Sequence, residues 1–450
     1  MTKRIVSLVL SLCLLSGCAG FEISPGGSST AETAAATLPP APAAAEQTLT
    51  VCNAAGSAHA SLKALESYAA DQGVTLNYTE TVQEADLVIT DQAPADDGSW
   101  YNLASDNLLS AAAAKAGLDT SATVTALPLG KSLYAYWADS RLLTALLGEG
   151  AVADLQNADW EEWSGFIEAL AGWITEPAET AITLNGNAYT LPTEVPAEAQ
   201  NLTGIFALPA DGGYGAWGGP LYTAAVLAAG SEPTAETLEG PLNGLWSALE
   251  LEFTYATYTA SPNPDDWNDI GIWDVSSCSQ LLSWGNAVFL RARLSDILAN
   301  TDADFAQNLV AIPVKGDYVE EDLSTDEYNL AGLMNYPTLA VTDWLAIPAS
   351  ADGEGQKAAS SAILWLYTDG DAQKLLTETL CMITPWGTAS DSTELGAQQV
   401  AQVSAGILPA AEVTTTAGDS VWRNNADGNW DKEDRDAFVE ASTAAILGNP

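Results

Sequence analysis

The feature that most constrains the fold is an alternation of strand-like and helix-like segments that begins at residue 48. Leu49, Val51 and their neighbours form a first strand, and the apolar residues of 59–71 recur at helical spacing. Residues 74–78 alternate again, and residues 87–89 form the short apolar run of a buried strand. Strand, helix, strand and strand in this order predict an α/β fold with a mainly parallel sheet covered by helices.

The rest of the chain continues this rhythm without an internal repeat of fixed period. Asp159 and Glu162 are spaced as a capping box, and the apolar residues of 160–173 follow at intervals of three and four, which predicts a helix. Further helices are predicted at 219–229, 236–253, 356–380 and 432–447, and further strands at 287–290, 309–314 and 344–348.

The N-terminus has the pattern of a targeting segment. Two basic residues precede an apolar run at 5–15 that is too short to span a bilayer. The run ends in Leu-Ser-Gly-Cys at 15–18, which resembles the lipobox of bacterial lipoproteins, whose cysteine is diacylated and becomes the first residue after cleavage. We therefore predict a signal peptide at 1–17 and a lipidated Cys18, with an ordinary secretory signal as the alternative.

The membrane attachment is predicted to be this lipid alone. Residues 18–47 are rich in Ala, Pro, Ser, Thr and Gly, which predicts a flexible linker, and no later segment has 18 uncharged apolar residues in a row. The protein is thus expected at the outer face of the cell membrane. After Cys18 there remain Cys52, Cys278 and Cys381, which allow at most one disulfide, and the sequence does not choose the pair.

Charge and histidine content exclude several functions. The chain has 450 residues, and its 59 Asp and Glu against 14 Lys and Arg give a formal net charge of −45. So acidic a surface repels phosphate backbones, which excludes nucleic acid as a partner. His59 is the single histidine, so a zinc site with several imidazoles is excluded, and no C-x-x-C pair offers a thiolate cage. No metal or cofactor is predicted.

Five segments occur in an order that resembles a known family. They are the lipobox with its linker, 85–91 (Ala-Asp-Leu-Val-Ile-Thr-Asp), 133–143 followed by Trp-Glu-Glu-Trp at 160–163, 286–290 (Asn-Ala-Val-Phe-Leu), and 344–348 (Trp-Leu-Ala-Ile-Pro) leading to 357–367. In their order and spacing they resemble the extracellular solute-binding proteins of ABC importers, within the carbohydrate-binding group that includes maltose-binding protein. The match in order covers most of residues 48–390.

The resemblance implies two α/β lobes joined by two or three crossing segments, with a ligand cleft between the lobes that closes by hinge motion. Because the chain crosses between the lobes, each lobe is discontinuous. We predict the first lobe at 48–138 with 283–345, and the second lobe at 139–282 with 346–450.

Aromatic side chains that carry a polar group are abundant, with 15 Trp and 14 Tyr against 7 Phe. A sugar presents apolar C–H faces and hydroxyl groups, so its site needs flat aromatic side chains together with carboxylates or amides. Tyr214 and Trp217 lie in a glycine-rich turn before a predicted helix, which resembles the aromatic segment with which the family stacks sugar. The alternative is a structural turn with a packed Trp. Trp163 and Trp173 fall on an apolar helical stripe and are expected in the core.

Five further residues are candidate ligand contacts because of their positions. Asp91 ends its strand where ligands sit in open α/β sheets, and a turn or a helix cap is its alternative role. Trp284 and Trp344 flank predicted lobe crossings. Tyr134 and Tyr136 alternate with apolar neighbours on a crossing strand, so one face of that strand is expected to look into the cleft.

Arg291 and Arg293 stand at strand spacing where the family has a stacking element. In a chain so poor in basic residues, the pair suggests bidentate binding of a carboxylate and therefore an acidic sugar. The alternative is ion pairing with surface carboxylates, of which the chain has many.

The predicted function is capture of a mono- or oligosaccharide by a lipid-anchored, monomeric substrate-binding protein that delivers it to an ABC permease without catalysis. The permease and its ATPase are the implied protein partners. One alternative is an extracellular carbohydrate-active hydrolase, which needs two carboxylates about 5–10 Å apart. Another is the same fold with a peptide, a polyamine or a metal complex as its ligand.

Overall fold

The computed structural model describes residues 47–55, 58–208, 225, 229, 232–256, 275–318, 324–325, 328–329, 338–341, 343–385, 395–404, 411–413 and 435–447. Glu46–Pro450 form one compact unit. The predicted signal peptide, Cys18 and almost all of the predicted linker lie outside the described residues, as do Tyr214 and Trp217. No helix in the described part of the chain is long and apolar enough to cross a membrane.

The strands and helices follow one another through these residues. The strands are β1 (Thr48–Asn53), β2 (Thr75–Thr79), β3 (Leu87–Thr90), β4 (Ala126–Pro128), β5 (Lys131–Asp139), β6 (Thr180–Leu184), β7 (Asn187–Leu191), β8 (Phe206–Ala207), β9 (Phe289–Arg293), β10 (Leu309–Ile312), β11 (Ser324–Thr325), β12 (Tyr328–Asn329), β13 (Thr338–Val341), β14 (Trp344–Ala346) and β15 (Ala411–Val413). The helices are α1 (His59–Gln72), α2 (Asn107–Lys115), α3 (Ser140–Leu147), α4 (Ala151–Asn157), α5 (Trp160–Thr175), α6 (Ala235–Thr254), α7 (Val275–Ser283), α8 (Leu294–Asn300), α9 (Ala303–Ala306), α10 (Gly353–Thr368), α11 (Gly370–Lys374), α12 (Leu395–Ser404) and α13 (Arg435–Ile446).

The first sheet has five strands in the order β2-β1-β3-β14-β4. β1 runs parallel to β2 and β3, whereas β14 runs antiparallel to β3 and β4. Leu49 and Val51 of β1 are fully buried, because α10 packs on β1 and β3 while α1 packs against α10. The predicted strands and helix of the first 90 residues are confirmed, and a strand from late in the chain, β14, joins them.

Two large clusters of buried apolar side chains stand out in the described part of the chain, beside a small one at Cys52, Ala85 and Val88. The first core joins the five-stranded sheet with α1, α2 and α10, and the second core is built around α3, α5 and α6. The second core is rich in aromatic rings: Tyr136, Trp163, Phe206 and Phe289 have ring centroids 5.2–6.4 Å apart, within the range of favourable aromatic pairs. The predicted two-lobe α/β fold is confirmed.

β5 is the centre of the second sheet and contributes to both cores. The sheet has the order β15-β13-β5-β9-β8, and β10 also pairs with β5. Leu133, Ala135 and Trp137 of β5 pack in the first core, whereas Tyr134 and Tyr136 pack in the second. Successive side chains of a strand point to opposite faces of the sheet. Because both faces of β5 carry buried side chains, the strand contributes to both cores.

The lobe boundaries stay a prediction, in which 346–450 belong to the second lobe. Several buried side chains of α10 and of the following residues up to Met382 pack in the first core. Ala359, Ile363 and Leu366 form the buried side of α10, which lies on β1 and β3. α10 follows closely on β14, so the five-stranded sheet is the adjacent apolar surface that its buried side covers.

Candidate functional site

The chain passes between the two sheets at two neighbouring places. β4 leads through Leu129 and Gly130 into β5, and β13 leads through Asp343 into β14; these three residues are called the crossing region below. The Leu129 amide donates a hydrogen bond to the Asp343 carbonyl oxygen at 2.9 Å, which joins the two passages. A Cβ at Gly130 would lie 2.9 Å from the Ile383 carbonyl oxygen, so this close approach requires glycine.

A cavity of about 570 Å³ lies beside the crossing region and is called the Trp344 cavity below. Its volume falls within the roughly 300–1,000 Å³ of small-molecule sites. Pro128 and Trp344 line it from the five-stranded sheet, and Lys131 and Leu339 line it from the other sheet. The other described residues that line it are Lys115, Ala116, Gly117, Leu118, Gly130, Ile383, Thr384, Pro385 and Val403.

Trp344 is a sequence-predicted contact that the structure places at this cavity. It begins β14, opposite Thr90 of β3 and Pro128 of β4. The side chain is partly buried, and its Nε1–H is buried without a hydrogen-bond acceptor among the described residues. A buried donor without an acceptor costs about 1–3 kcal/mol, and an acceptor on a bound ligand would offset that cost.

The structure brings Asp91 to the same sheet edge as Trp344, but not Trp284. Asp91 follows Thr90, the residue opposite Trp344, at the carboxyl end of β3, although it does not line the cavity itself. Trp284 follows α7 and is 60% exposed. Its carbonyl oxygen accepts a hydrogen bond from Asn201 Nδ2 at 3.1 Å, and it does not line the cavity.

Tyr134, Tyr136 and Arg291 form a buried cluster with Glu252 of α6. Arg291 Nε and Nη2 donate to the two carboxylate oxygens of Glu252 at 2.7 and 2.8 Å, and its Nη1 donates to the Tyr134 hydroxyl. The Tyr136 hydroxyl donates to Glu252 at 2.5 Å, and its ring stacks on Trp163. The cluster therefore ties α6 to β5 and β9 inside the second core.

The charges of this cluster support one another. Burial acts to lower the pKa of Arg291, but the Glu252 carboxylate raises it, and the pKa lies above its usual value. Burial, together with the charge of Glu252, raises the pKa of Tyr136 well above its usual value. Arg291 is therefore a cation, and Tyr136 a neutral donor, throughout the physiological pH range.

Arg293 makes a second buried network at the crossing region. Its Nε donates to Asp296 Oδ2 at 2.8 Å, and its Nη1 donates to Asp343 Oδ1 at 3.2 Å. Ser61 Oγ donates to Asp343 Oδ2 at 2.6 Å. Ion pairing, the alternative for both arginines, is thus the arrangement that the structure shows, although the carboxylates are buried rather than at the surface.

Comparison with known proteins finds similarity in structure only. No protein-family model matches the chain, and no curated protein matches it in sequence. The chain is similar in fold to ABC solute-binding proteins. One is the maltose-bound MalE3 of T. maritima, at 12% identity and a TM-score of 0.49, covering 90% of this chain and 97% of that one.

Two further solved chains show the range of this similarity. A chitin oligosaccharide binding protein has 14% identity and a TM-score of 0.49, covering 90% of this chain and 99% of that one. UgpB of Mycobacterium tuberculosis in complex with glycerophosphocholine has 13% identity and a TM-score of 0.43, covering 88% and 96%. At these identities no residue of this chain takes its role from theirs.

Sequence reasoning missed Lys115 and Lys131, which both line the Trp344 cavity. The position of Lys131 could have indicated a place at the cavity, because it begins the strand that was expected to cross between the lobes. Lys115 had none, because only tertiary packing brings the end of α2 to the crossing region.

The cysteines that follow Cys18 are not paired with one another. Cys52, Cys278 and Cys381 are all buried, and none of the three is in a disulfide. Within the described ranges no three His, Cys, Asp or Glu side chains converge in a way that could hold a metal ion.

Proposed function

We propose that the chain is a lipid-anchored, monomeric substrate-binding protein that captures a saccharide outside the cytoplasm and delivers it to an ABC permease without catalysis. The observation that carries the proposal is the Trp344 cavity, which takes residues from both sheets beside the passages between them. A ligand bound there contacts both lobes, so it favours arrangements in which the lobes lie close together. The closed, liganded form is then the one that the permease receives.

The cavity suits a sugar chemically. Trp344 offers an aromatic face for the C–H groups of a sugar ring and an Nε1–H donor for one of its oxygens. Asp91, next to the Thr90–Trp344 pair, is proposed as an acceptor for hydroxyl groups. Tyr214 and Trp217 are proposed to contribute aromatic contacts from outside the described part of the chain.

Four of the sequence-based candidates fit a structural role better than a ligand contact. Tyr134, Tyr136, Arg291 and Arg293 all have protein partners in buried networks. We therefore propose that they hold the lobes and the crossing region in place. Trp284 lies outside the cavity and serves as the comparison in the test below.

A thermal-shift screen tests the ligand class with saccharides, polyamines and short peptides. A ligand at about a hundred times its dissociation constant adds about 2.7 kcal/mol to the free energy of unfolding. We expect a shift with one class of saccharide and no new reducing ends. Shifts with polyamines or peptides alone would contradict the sugar proposal, and new reducing ends would favour the hydrolase.

Two tryptophan variants locate the site. Trp344→Ala should weaken saccharide binding by about tenfold or more, because it removes the aromatic face and the donor together. Trp284→Ala, which removes an exposed Trp outside the cavity, should leave the affinity within about twofold. The reverse result would place the ligand away from the crossing region.

The anchor is tested separately. The Leu-Ser-Gly-Cys at 15–18 supports acylation of Cys18, and the composition of 18–47 supports a tether. Cells grown with labelled palmitate should label the wild type and retain it in the membrane fraction. Cys18→Ser should lose the label, and a labelled Cys18→Ser variant would contradict the proposed anchor.

A further inference from the structure

The carboxylate of Asp343 is fully buried in the crossing region and accepts hydrogen bonds from two sides. Ser61 Oγ of α1 donates to its Oδ2 at 2.6 Å, and Arg293 Nη1 at the end of β9 donates to its Oδ1 at 3.2 Å. A carboxylate that is taken out of water is stable only where such partners compensate it. These two bonds therefore fix the position of the Asp343 side chain.

The network continues from Arg293 into the first core. Arg293 Nε donates to Asp296 Oδ2 of α8 at 2.8 Å, and Asp296 Oδ1 accepts a hydrogen bond from the Ala60 amide of α1 at 3.2 Å. α1 and α8 pack against each other, and both contribute side chains to the first core. The carboxylate of Asp343 is thus attached to two helices of that core.

The backbone of Asp343 reaches the walls of the Trp344 cavity. Asp343 directly precedes Trp344, and its carbonyl oxygen accepts a hydrogen bond from the Leu129 amide at 2.9 Å. Leu129 lies between Pro128 and Gly130, which both line the cavity, as Trp344 does. Asp343 does not line the cavity itself, yet it adjoins one of these lining residues and is bonded to the residue between the other two.

The position of Trp344 depends on its surroundings. Its Nε1–H is buried without an acceptor among the described residues, so no hydrogen bond of the indole holds the ring in place there. A buried donor without an acceptor is less stable than one that has found an acceptor. A side chain persists in such a position when the structure around it is firmly held. For Trp344 this support comes from the pairing of β14 with β3 and β4 and from the anchored residue before it.

We infer that Asp343 is a positioning residue for the Trp344 cavity. Its bonds to Ser61, Arg293 and Leu129 hold Trp344 where a ligand meets it, and Asp343 itself does not contact the ligand. A site that is already ordered loses less conformational freedom when it binds, so a looser Trp344 should bind the same ligand more weakly. The positioning of Trp344 does not depend on the identity of the ligand, whereas the effect on affinity rests on the proposed function.

Fluorine NMR on the full chain in detergent, with fluorotryptophan in place of tryptophan, tests the positioning without a ligand. The Trp344 resonance is the one that Trp344→Phe removes. Ser61→Ala takes away one of the bonds to the Asp343 carboxylate, so it should split the Trp344 resonance or move it by more than its own linewidth. A role in global stability alone would leave this resonance of the folded protein unchanged.

Two serine variants are matched controls. Ser279→Ala removes another fully buried hydroxyl, which donates to the Val275 carbonyl oxygen within α7 at 2.6 Å. Ser67→Ala removes an exposed hydroxyl on the same helix as Ser61. Both should leave the Trp344 resonance within its linewidth. If Ser61→Ala does not fold, Asp343→Asn carries the comparison, because it keeps an acceptor for Ser61 and removes the charge that faces Arg293.

Titration calorimetry with the saccharides of the thermal-shift screen measures the consequence for binding. Ser61→Ala should weaken the affinity by about threefold or more, and Ser279→Ala should leave it within about twofold. A Trp344 resonance that stays in place in the network variant overturns the inference, and so does a displaced resonance with unchanged affinity. A wild type that binds no saccharide contradicts the proposed function, and the NMR result then decides the positioning by itself.

Discussion

Two pairs of basic residues lie at different depths in this chain. Arg291 and Arg293 of β9 lie against buried carboxylates on α6, on α8 and in the crossing region. Lys115 and Lys131 line a cavity whose described residues include no carboxylate. The sequence makes the arginines the more conspicuous pair, yet the structure places the lysines and not the arginines at the cavity wall.

The difference shows how burial decides what a cation can do. Moving a charge out of water costs several kcal/mol, so a buried guanidinium persists only where carboxylates and hydrogen bonds compensate it. Glu252 and Tyr134 supply this compensation to Arg291, so its charge is balanced inside the protein. Lys115 is exposed and Lys131 is only partly buried, so neither cation needs as much compensation from the protein as Arg291 does.

The largest expected effect comes from breaking the Arg291 cluster. Glu252→Gln leaves a buried guanidinium without its counter-charge, which should lower the free energy of unfolding by about 3–5 kcal/mol in urea denaturation. Glu250→Gln is the matched control two residues earlier on α6, where the pair with Arg435 is 3.7 Å long and exposed. The control should cost less than about 0.5 kcal/mol. Equal costs would mean that the buried pair is not what holds α6 to β9.

The next effect concerns the Arg293 network. Ser61→Ala removes the hydroxyl that donates to the buried Asp343 carboxylate at 2.6 Å, and should cost about 2 kcal/mol. Ser67→Ala on the same helix removes an exposed bond to the Lys63 carbonyl oxygen and should change stability by less than about 0.5 kcal/mol. If both variants unfold at the same denaturant concentration, Asp343 does not depend on α1 for its hydrogen bonds.

Local pattern predicts this fold well because local rules and tertiary packing agree. The capping box of α5 forms as its spacing predicts, with the Glu162 amide donating to Asp159 at 2.9 Å. The alternation along β5 predicts a strand, but it does not tell that both faces are buried, because that depends on two separate cores. Asp296 is only three residues from Arg293, but the other carboxylate partners of the two arginines cannot be read from local pattern, since Glu252 is 39 residues from Arg291 and Asp343 is 50 residues from Arg293.

The candidate site was only partly predictable for the same reason. Trp344 could be singled out because it flanks a crossing segment, and it does line the cavity. Lys115 becomes part of the cavity only when α2 has packed beside the crossing region, and no spacing in the chain encodes that contact.

Lys315, in the segment after β10, is an intermediate case in this comparison. It is buried like the arginines, and its Nζ donates to the Gln156 carbonyl oxygen at 2.8 Å. Burial lowers the pKa of Lys315 to about 8, although Asp159 and Glu162 act to raise it. The unfolded chain, with a lysine pKa of about 10.4, therefore binds more protons than the folded chain between about pH 8 and 10.

The free energy of unfolding should consequently rise with pH across this window. Relative to Lys315→Met, the wild type should gain about 1 kcal/mol between about pH 7 and 9 in urea denaturation. If the difference in the free energy of unfolding between wild type and variant does not change with pH, Lys315 stays protonated in the folded protein, as the two arginines do.

The smallest expected effect concerns Trp344 itself. Trp344→Phe removes an Nε1–H that has no acceptor among the described residues, and this gain offsets the contacts that the smaller ring loses, so without ligand the free energy of unfolding should change by less than about 0.5 kcal/mol. Trp137→Phe is the matched control, because its Nε1 donates to the Ala292 carbonyl oxygen at 3.0 Å in the first core, and its loss should cost about 2 kcal/mol or more. For ligand affinity the expected order is the reverse: Trp344→Phe should weaken binding, and Trp137→Phe should not. If Trp344→Phe instead destabilises the free protein as much as Trp137→Phe does, the Trp344 indole serves to stabilise the fold. Its Nε1–H would then no longer be evidence for a ligand in the cavity.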